Sequence, residues 1–204
     1  PRIVGETGGK NFVMVHCSAD MTEVTASVIR GGFEYQGQKC AAVGRVYVPE
    51  SRWSELKDCL VRETGSIKTG VVENFANFVN AVIDKAAFDK IVGYIEFAKA
   101  SNDAEIVFGG GYDNSKGYFV EPTIILTRDP KFKTMQEEIF GPVVTVYVYP
   151  DDKFEETLTL CDQTSAYGLT GSIFAKDRAA IAMAERKLVN AAGNFYINDK
   201  PTGS

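Results

Sequence analysis

Short apolar runs alternate with amphipathic stretches along the whole chain. The runs are rich in Val, Ile, Phe and Tyr, a composition that predicts buried β-strands. They lie at residues 11–16, 43–48, 105–108, 118–126, 143–149, 171–175 and 194–198. Strands separated by about 10 to 15 helical residues are typical of βαβ units. The pattern therefore predicts an α/β fold: a mostly parallel twisted sheet with flanking helices.

The stretches between the strands carry helix start signals. Asp20 and Glu23 form a capping box for a helix that runs to about residue 30, where two glycines are expected to weaken it. Asp84 caps a longer helix, and Asp177 caps one that runs to about residue 190. Further helices are predicted over residues 51–63 and from residue 151 or 152, and the Gly- and Asn-rich stretch 109–117 is predicted to be a surface loop.

Length and composition narrow the class of protein. The chain has 204 residues, 45% of them hydrophobic, which is enough for one domain with a core of its own. A formal net charge of −5 argues against a general nucleic-acid binder, which needs a basic face. The longest apolar run is far shorter than a membrane span. The first residue is Pro1, not Met, which suggests a processed protein or a piece of a longer one.

The four cysteines are too few and too scattered for a disulfide framework or a zinc site. No two of them have C-x-x-C spacing, and the chain has one histidine, His16. We therefore expect reduced thiols. Cys17, Cys59 and Cys161 each lie in or beside an amphipathic element, and core packing is expected for all three.

Cys40 has different surroundings from the other cysteines. It lies on a connection between a helix and a strand and follows Gln36, Gly37, Gln38 and Lys39. The glycine permits a close backbone approach, and the lysine favours the thiolate form of a neighbouring cysteine. These residues alone fit either a reactive thiol or an incidental loop cysteine.

A thiol nucleophile needs a base, and two residues are candidates. His16 ends a predicted strand, where it is expected to be satisfied by backbone contacts. Glu6 lies in the glycine-rich turn Gly5–Asn11, and by itself it also fits a solvated turn residue. The turn imitates a phosphate loop but fails its spacing, because Val4 and Asn11 occupy positions that need Gly and Ser or Thr.

A third patch, Glu137-Glu138-Ile-Phe140-Gly-Pro-Val143, places two acids before an aromatic residue and a Gly-Pro turn. It fits a simple helix end, or an acid that accepts hydrogens from ribose hydroxyls.

Together these patches resemble a known family. Glu-x-Gly-Gly-Lys-Asn, Gly-Gln-x-Cys and Glu-Glu-Ile-Phe-Gly-Pro-Val, in this order, are similar to signatures of the aldehyde dehydrogenase superfamily. The 34-residue separation of Glu6 and Cys40 is also that of the family. Four more stretches resemble the branch that oxidises L-glutamate γ-semialdehyde: Gly117–Thr123, Tyr147–Lys153, Tyr167–Gly171 and Asn190–Lys200.

The resemblance implies a role for each motif residue. Cys40 is expected to be the nucleophile and Glu6 the general base, Glu138 to bind the nicotinamide-side ribose of NAD, and Phe140 to pack near the nicotinamide. Ala41 stands where many relatives have a Ser that contacts the substrate carboxylate, which puts that contact in doubt.

The resemblance also implies what kind of chain this is. Residues 1–204 are expected to form an aldehyde dehydrogenase catalytic domain, as a fragment without the dinucleotide-binding domain or the C-terminal segment. The parent enzyme is expected to be a homo-oligomer of the mitochondrial matrix with glutamate semialdehyde as its small-molecule substrate and no metal. Three alternatives stay open: another aldehyde substrate, a thiol-dependent acyltransferase or hydrolase without cofactor, and a non-catalytic isolated fold module.

Overall fold

The computed structural model describes residues 1–5 and 7–202, and a seven-stranded sheet forms its centre. The strands are β1 (Asn11–Val15), β2 (Val43–Pro49), β3 (Ala104–Phe108), β6 (Thr123–Thr127), β7 (Val143–Tyr149), β8 (Thr170–Phe174) and β9 (Asn194–Ile197). Their order is β3-β6-β7-β2-β1-β8-β9, and the β3–β6 pair is the antiparallel one among the described strands of this sheet. The predicted α/β fold with a mostly parallel sheet is confirmed.

Helices cover both faces of this sheet. They are α1 (Met21–Phe33), α2 (Glu50–Gly65), α3 (Lys85–Lys99), α4 (Lys133–Gln136), α5 (Phe154–Thr164) and α6 (Arg178–Lys187). Successive side chains of a strand point to opposite faces, so β1 sends Phe12 and Met14 into one core and Val13 and Val15 into the other. This explains why β1 is apolar throughout rather than alternating. None of the described helices has the length and apolarity needed to cross a membrane.

The two glycines expected to weaken α1 instead lie inside the helix. A methyl group on Gly31 would lie 2.5 Å from Val43 Cγ2, and one on Gly32 would lie 2.5 Å from Val144 Cγ2. The glycines therefore let α1 pack closely on β2 and β7, and this packing outweighs their low helix propensity. At the start of the helix, the Asp20 side chain accepts from Thr22 N at 3.0 Å.

Other predicted boundaries change for local reasons. The predicted strand 118–126 is divided into β5 (Phe119–Val120) and β6, because Pro122 has no N–H for a sheet ladder. The predicted loop 109–117 contains β4 (Tyr112–Asp113), which pairs with β5 in a small separate sheet.

The prediction for the three packed cysteines is correct for one of them. Cys161 lies on α5 and is buried in the core, and burial raises the pKa of its thiol to about 11. Cys59 is half-buried on α2, and Cys17 is exposed in the turn that follows β1. Proximity to an amphipathic element did not place Cys17 in the core, because the turn carries its side chain beyond the end of the sheet.

Candidate active site

The three motifs of the sequence meet at one edge of the sheet. Gly9 and Lys10 precede β1, the Cys40 turn (Lys39–Ala42) precedes β2, and Glu138 and Phe140 precede β7. Since β1, β2 and β7 are parallel and lie in the order β7-β2-β1, their amino-terminal ends are close together. Strand order thus brings together residues that are far apart along the chain.

The backbone before Cys40 is wound in an unusual way. Tyr35, Gln36 and Gly37 have φ angles of 53°, 57° and 65°, which is the left-handed region. Non-glycine residues in this region each cost of order 1 kcal/mol or more, and such strain clusters at functional sites. A methyl group on Gly37 would lie 2.2 Å from the Gly141 carbonyl oxygen. The close approach expected at Gly37 is therefore present, and it joins the Cys40 segment to the Phe140 segment.

The Cys40 turn is attached to the start of β1. Asn11 Nδ2 donates to the carbonyl oxygens of Cys40 at 2.7 Å and Ala42 at 2.8 Å. The Ala42 N–H closes the turn by donating to Lys39 O at 3.0 Å. Cys40 itself is exposed and Ala41 is half-buried beside it. The turn thus holds the thiol at the surface, and the buried Asn11 side chain fixes its backbone.

Lys39 contributes less positive potential than the sequence suggests. Its Nζ lies 3.0 Å from Glu34 Oε2 in an ion pair that is mostly shielded from solvent. The carboxylate offsets part of the charge that was expected to favour the Cys40 thiolate.

Glu138 is linked directly to the glycine-rich turn. Its Oε1 accepts the Gly9 N–H at 2.8 Å, and its backbone carbonyl accepts from Lys90 Nζ at 2.9 Å. The carboxylate is half-buried beside Gly9. Phe140 follows with a φ of 61° and is 40% exposed. This left-handed backbone presents an aromatic ring to solvent next to a fixed carboxylate.

Little space remains between the Cys40 turn and the segment that carries Glu138 and Phe140. A cavity of about 20 Å³ is lined by residues of both, among them Gly9, Lys39, Glu138 and Phe140. This volume holds about one water molecule. This cavity by itself is therefore too small for a dinucleotide or an aldehyde.

Lys10 is a buried charged residue that the sequence did not single out. It is 4% exposed, and burial, aided by the nearby Arg45 charge, lowers its pKa to about 7. Arg45 is also buried, and its Nε donates to Lys10 O at 2.9 Å. A lysine at the start of a strand is ordinarily solvated. The burial of Lys10 follows from its position between β2 and Glu138, which only the tertiary structure shows.

Of the two candidate bases, the structure excludes His16. His16 lies at the carboxyl end of β1, about 16 Å from Asn11 at a rise of about 3.3 Å per residue, and its Nδ1 lies 2.9 Å from Ser18 Oγ. It is therefore too far away to serve Cys40. Glu6, the other candidate, lies outside the residues that the structure describes.

The exposed setting of Cys40 leads to a test on the four thiols. With limiting iodoacetamide on the folded protein, we expect Cys40 to be labelled first, because it is exposed and lies beside Lys39, whose charge Glu34 offsets only in part. Cys161 should be labelled last, because it is buried. Peptide mass mapping measures the order. Cys17 is the internal control, since it is also exposed. Labelling of Cys17 at the same rate as Cys40 or faster would count against a special reactivity of Cys40.

Comparison with known proteins identifies the family. A model of the aldehyde dehydrogenase family matches residues 1–204. The mitochondrial delta-1-pyrroline-5-carboxylate dehydrogenase of Dictyostelium discoideum is 60% identical over 204 residues, which are 100% of this chain and 37% of that protein. The Homo sapiens protein of the same name is 52% identical over 205 residues, covering 100% of this chain and 36% of that protein.

Solved structures agree with the sequence relatives. The crystal structure of Delta-pyrroline-5-carboxylate dehydrogenase from Mycobacterium tuberculosis bound with NAD matches with a TM-score of 0.93 and 46% identity, over 100% of this chain and 37% of that chain. This chain therefore spans little more than a third of the length of the proteins it matches. The resemblance in the three motifs is confirmed over the full length of the sequence, and the chain belongs to the aldehyde dehydrogenase family.

Proposed function

We propose that the parent protein oxidises L-glutamate γ-semialdehyde to L-glutamate with NAD, the aldehyde-oxidising step of proline degradation. By parent protein we mean a chain of the relatives' length that contains residues 1–204. The observation that supports this most is the meeting of Cys40, Glu138 and Phe140 around Gly9 and Gly37. High identity to proteins named for this reaction supports the choice of substrate.

The residues present suit a covalent mechanism. The Cys40 thiolate adds to the aldehyde carbon, a C–S bond forms, and the carbonyl π electrons move to oxygen. The backbone N–H of Cys40 is a donor for the resulting oxyanion. When this hemithioacetal collapses, the carbon loses a hydride with two electrons and a thioester remains on Cys40. Glu6 then takes a proton from water, which attacks the thioester, so that the C–S bond breaks and glutamate leaves.

The cofactor contacts of this chain fit a nicotinamide dinucleotide. NAD, when bound, accepts the hydride. The Glu138 carboxylate has about four lone-pair sites, so it can accept from ribose hydroxyls while Oε1 holds the Gly9 N–H. The exposed Phe140 ring offers an apolar surface for the nicotinamide. The crystal structure of the Mycobacterium tuberculosis relative bound with NAD supports the same cofactor here.

Ala41 gives the substrate pocket a different wall from that of many relatives. Without a hydroxyl at this position, the substrate carboxylate loses one donor from the side chain, and the backbone N–H of Ala41 remains.

We propose that the parent protein is a homo-oligomer of the mitochondrial matrix. The mitochondrial names of its relatives support the compartment.

Replacing Glu6 by glutamine separates the two halves of this mechanism. In Glu6→Gln parent protein we expect a pre-steady-state burst of NADH followed by slow turnover, because the carboxylate activates water after the redox step. Stopped-flow absorbance with semialdehyde and NAD measures both phases. Glu185→Gln, at an exposed position of α6, is the matched control and should turn over normally. Loss of the burst together with turnover would show that Glu6 acts earlier.

The same assay without NAD addresses the rival thiol chemistry. A cofactor-independent acyltransferase or hydrolase would release product without NAD, and the proposed dehydrogenase would not. The placement of His16 at the far end of β1 favours the dehydrogenase, because it removes the usual base of a cysteine hydrolase.

A further inference from the structure

Asn11 is a buried polar residue whose hydrogen bonds converge on the Cys40 turn. It is 2% exposed and begins β1. Its Nδ2 donates to Cys40 O at 2.7 Å and Ala42 O at 2.8 Å, and its Oδ1 accepts from Thr170 N at 3.1 Å. Carbonyls can only accept and an N–H can only donate, so these partners fix which way the amide points. One side chain therefore joins the Cys40 turn to β1 and β8.

These bonds determine how the Cys40–Ala41 peptide faces. The peptide is planar and trans, so its carbonyl and its N–H point in opposite directions. The carbonyl is held inward by Asn11, below a thiol that is exposed at the surface. The Ala41 N–H consequently points to the outer side of the turn, where the thiol is accessible.

Gly9 lies close to the other side of the Cys40 carbonyl oxygen. A methyl group on Gly9 would lie 2.1 Å from Cys40 O. The inward carbonyl is thus enclosed between Gly9 and Asn11. Removing the amide would leave two carbonyls without its donors, and such groups turn toward other partners because an unmet buried acceptor is costly.

We propose that Asn11 is a positioning residue for the nucleophile. It holds the Cys40–Ala41 peptide so that the Ala41 N–H faces the thiol side of the turn and donates to an anionic oxygen of the bound substrate. The inference rests on the proposed role of Cys40 as nucleophile. The proposal gives a role to Asn11, the residue that excluded the phosphate-loop interpretation. It also places a backbone donor, the Ala41 N–H, where the Ala41 side chain has no hydroxyl.

The test compares two alkylating reagents that differ in charge. Iodoacetate carries a carboxylate next to its reacting carbon and iodoacetamide does not, so the ratio of their rates at Cys40 reports a nearby donor. In Asn11→Ser parent protein we expect this ratio to fall about tenfold, the size of one hydrogen bond to a charged group. Asn11→Thr, whose β-branched side chain suits a strand, serves if the serine variant does not fold.

Asn198→Ser is the matched control. The Asn198 side chain also bonds backbone at the end of a strand, with Oδ1 accepting from Ala175 N at 2.9 Å and Nδ2 donating to Ala175 O at 3.1 Å. It lies at the carboxyl end of β9 and bonds Ala175 at the carboxyl end of β8, so its loss should lower the melting temperature and leave the reagent ratio at Cys40 unchanged. An equal fall in the control would show a global effect and overturn the proposal.

An unchanged ratio in a folded Asn11 variant would also overturn the proposal. Alkylation needs neither NAD nor aldehyde, so this result is independent of whether the parent protein oxidises glutamate semialdehyde. If turnover fails and the ratio still falls, the proposed function is wrong and the positioning role stands. As a second readout, kcat/KM for the semialdehyde should fall about a hundredfold in the Asn11 variant, since a displacement of about 1 Å has effects of that size.

Discussion

A chain of residues 1–204 by itself is expected to show no measurable oxidation of glutamate semialdehyde. Correct placement of two reactants contributes roughly 7 to 11 kcal/mol to catalysis. The proposed cofactor residues Glu138 and Phe140 share a cavity of only about 20 Å³, which is far too small for a dinucleotide. NAD held by these two contacts would not be kept in line with Cys40. An NADH absorbance assay at saturating NAD, with the parent protein beside it, measures the difference.

The control for this experiment is the folded state of the isolated chain. The sheet has cores on both faces, so a compact state is expected. Exposed apolar side chains favour self-association, and they include Val71, Val72, Phe75 and Ile83. Circular dichroism and gel filtration therefore accompany the assay. Turnover within tenfold of the parent protein would show that residues outside 1–204 are dispensable for positioning NAD.

Gly9→Ala in the parent protein is expected to lower kcat/KM at least about a hundredfold. The new methyl group would lie 2.1 Å from the Cys40 carbonyl oxygen, a distance at which one backbone must move. The Gly9 N–H also holds Glu138, so the same shift displaces the nucleophile and the ribose-binding carboxylate. Displacements of about 1 Å cost about 10²-fold in rate. Steady-state kinetics with varied semialdehyde and NAD measure the loss.

Gly93→Ala is the matched control for this substitution. Gly93 lies inside α3, and a methyl group there has nothing within 4 Å. Alanine should raise helix stability by roughly 0.5–1 kcal/mol and leave the kinetics unchanged. Near-normal activity of Gly9→Ala would mean that the Cys40 turn tolerates displacement, and the geometric account of the site would be wrong.

The elements of the fold were largely predictable because strand and helix signals are local. The apolar run at β1, the capping residues Asp84 and Asp177, and the valine-rich β7 are each readable within about ten residues. The same holds for Cys40, whose polar neighbours already mark it as unlike a core cysteine. Predicted element boundaries were wrong where a contact with a distant element determined them, as at Gly31–Gly32, which pack on β2 and β7.

The candidate site depends on contacts that no local pattern contains. Gly9 and Glu138 are 129 residues apart, and Asn11 and Thr170 are 159 apart, yet both pairs are hydrogen-bonded. They meet because the strands lie in the order β7-β2-β1-β8, and strand order is set by packing of whole faces. The buried setting of Lys10 has the same origin.

The amino-acid sequence by itself determined the α/β class, the three motifs and the exposed connection that carries Cys40. The tertiary structure decided that Asn11 holds the Cys40 turn, that Glu34 offsets the charge of Lys39, and that Cys17 is exposed. Periodicity reports which face of an element is buried, and it does so over a few residues. Which partner lies on that face depends on the register and order of strands that are distant in sequence.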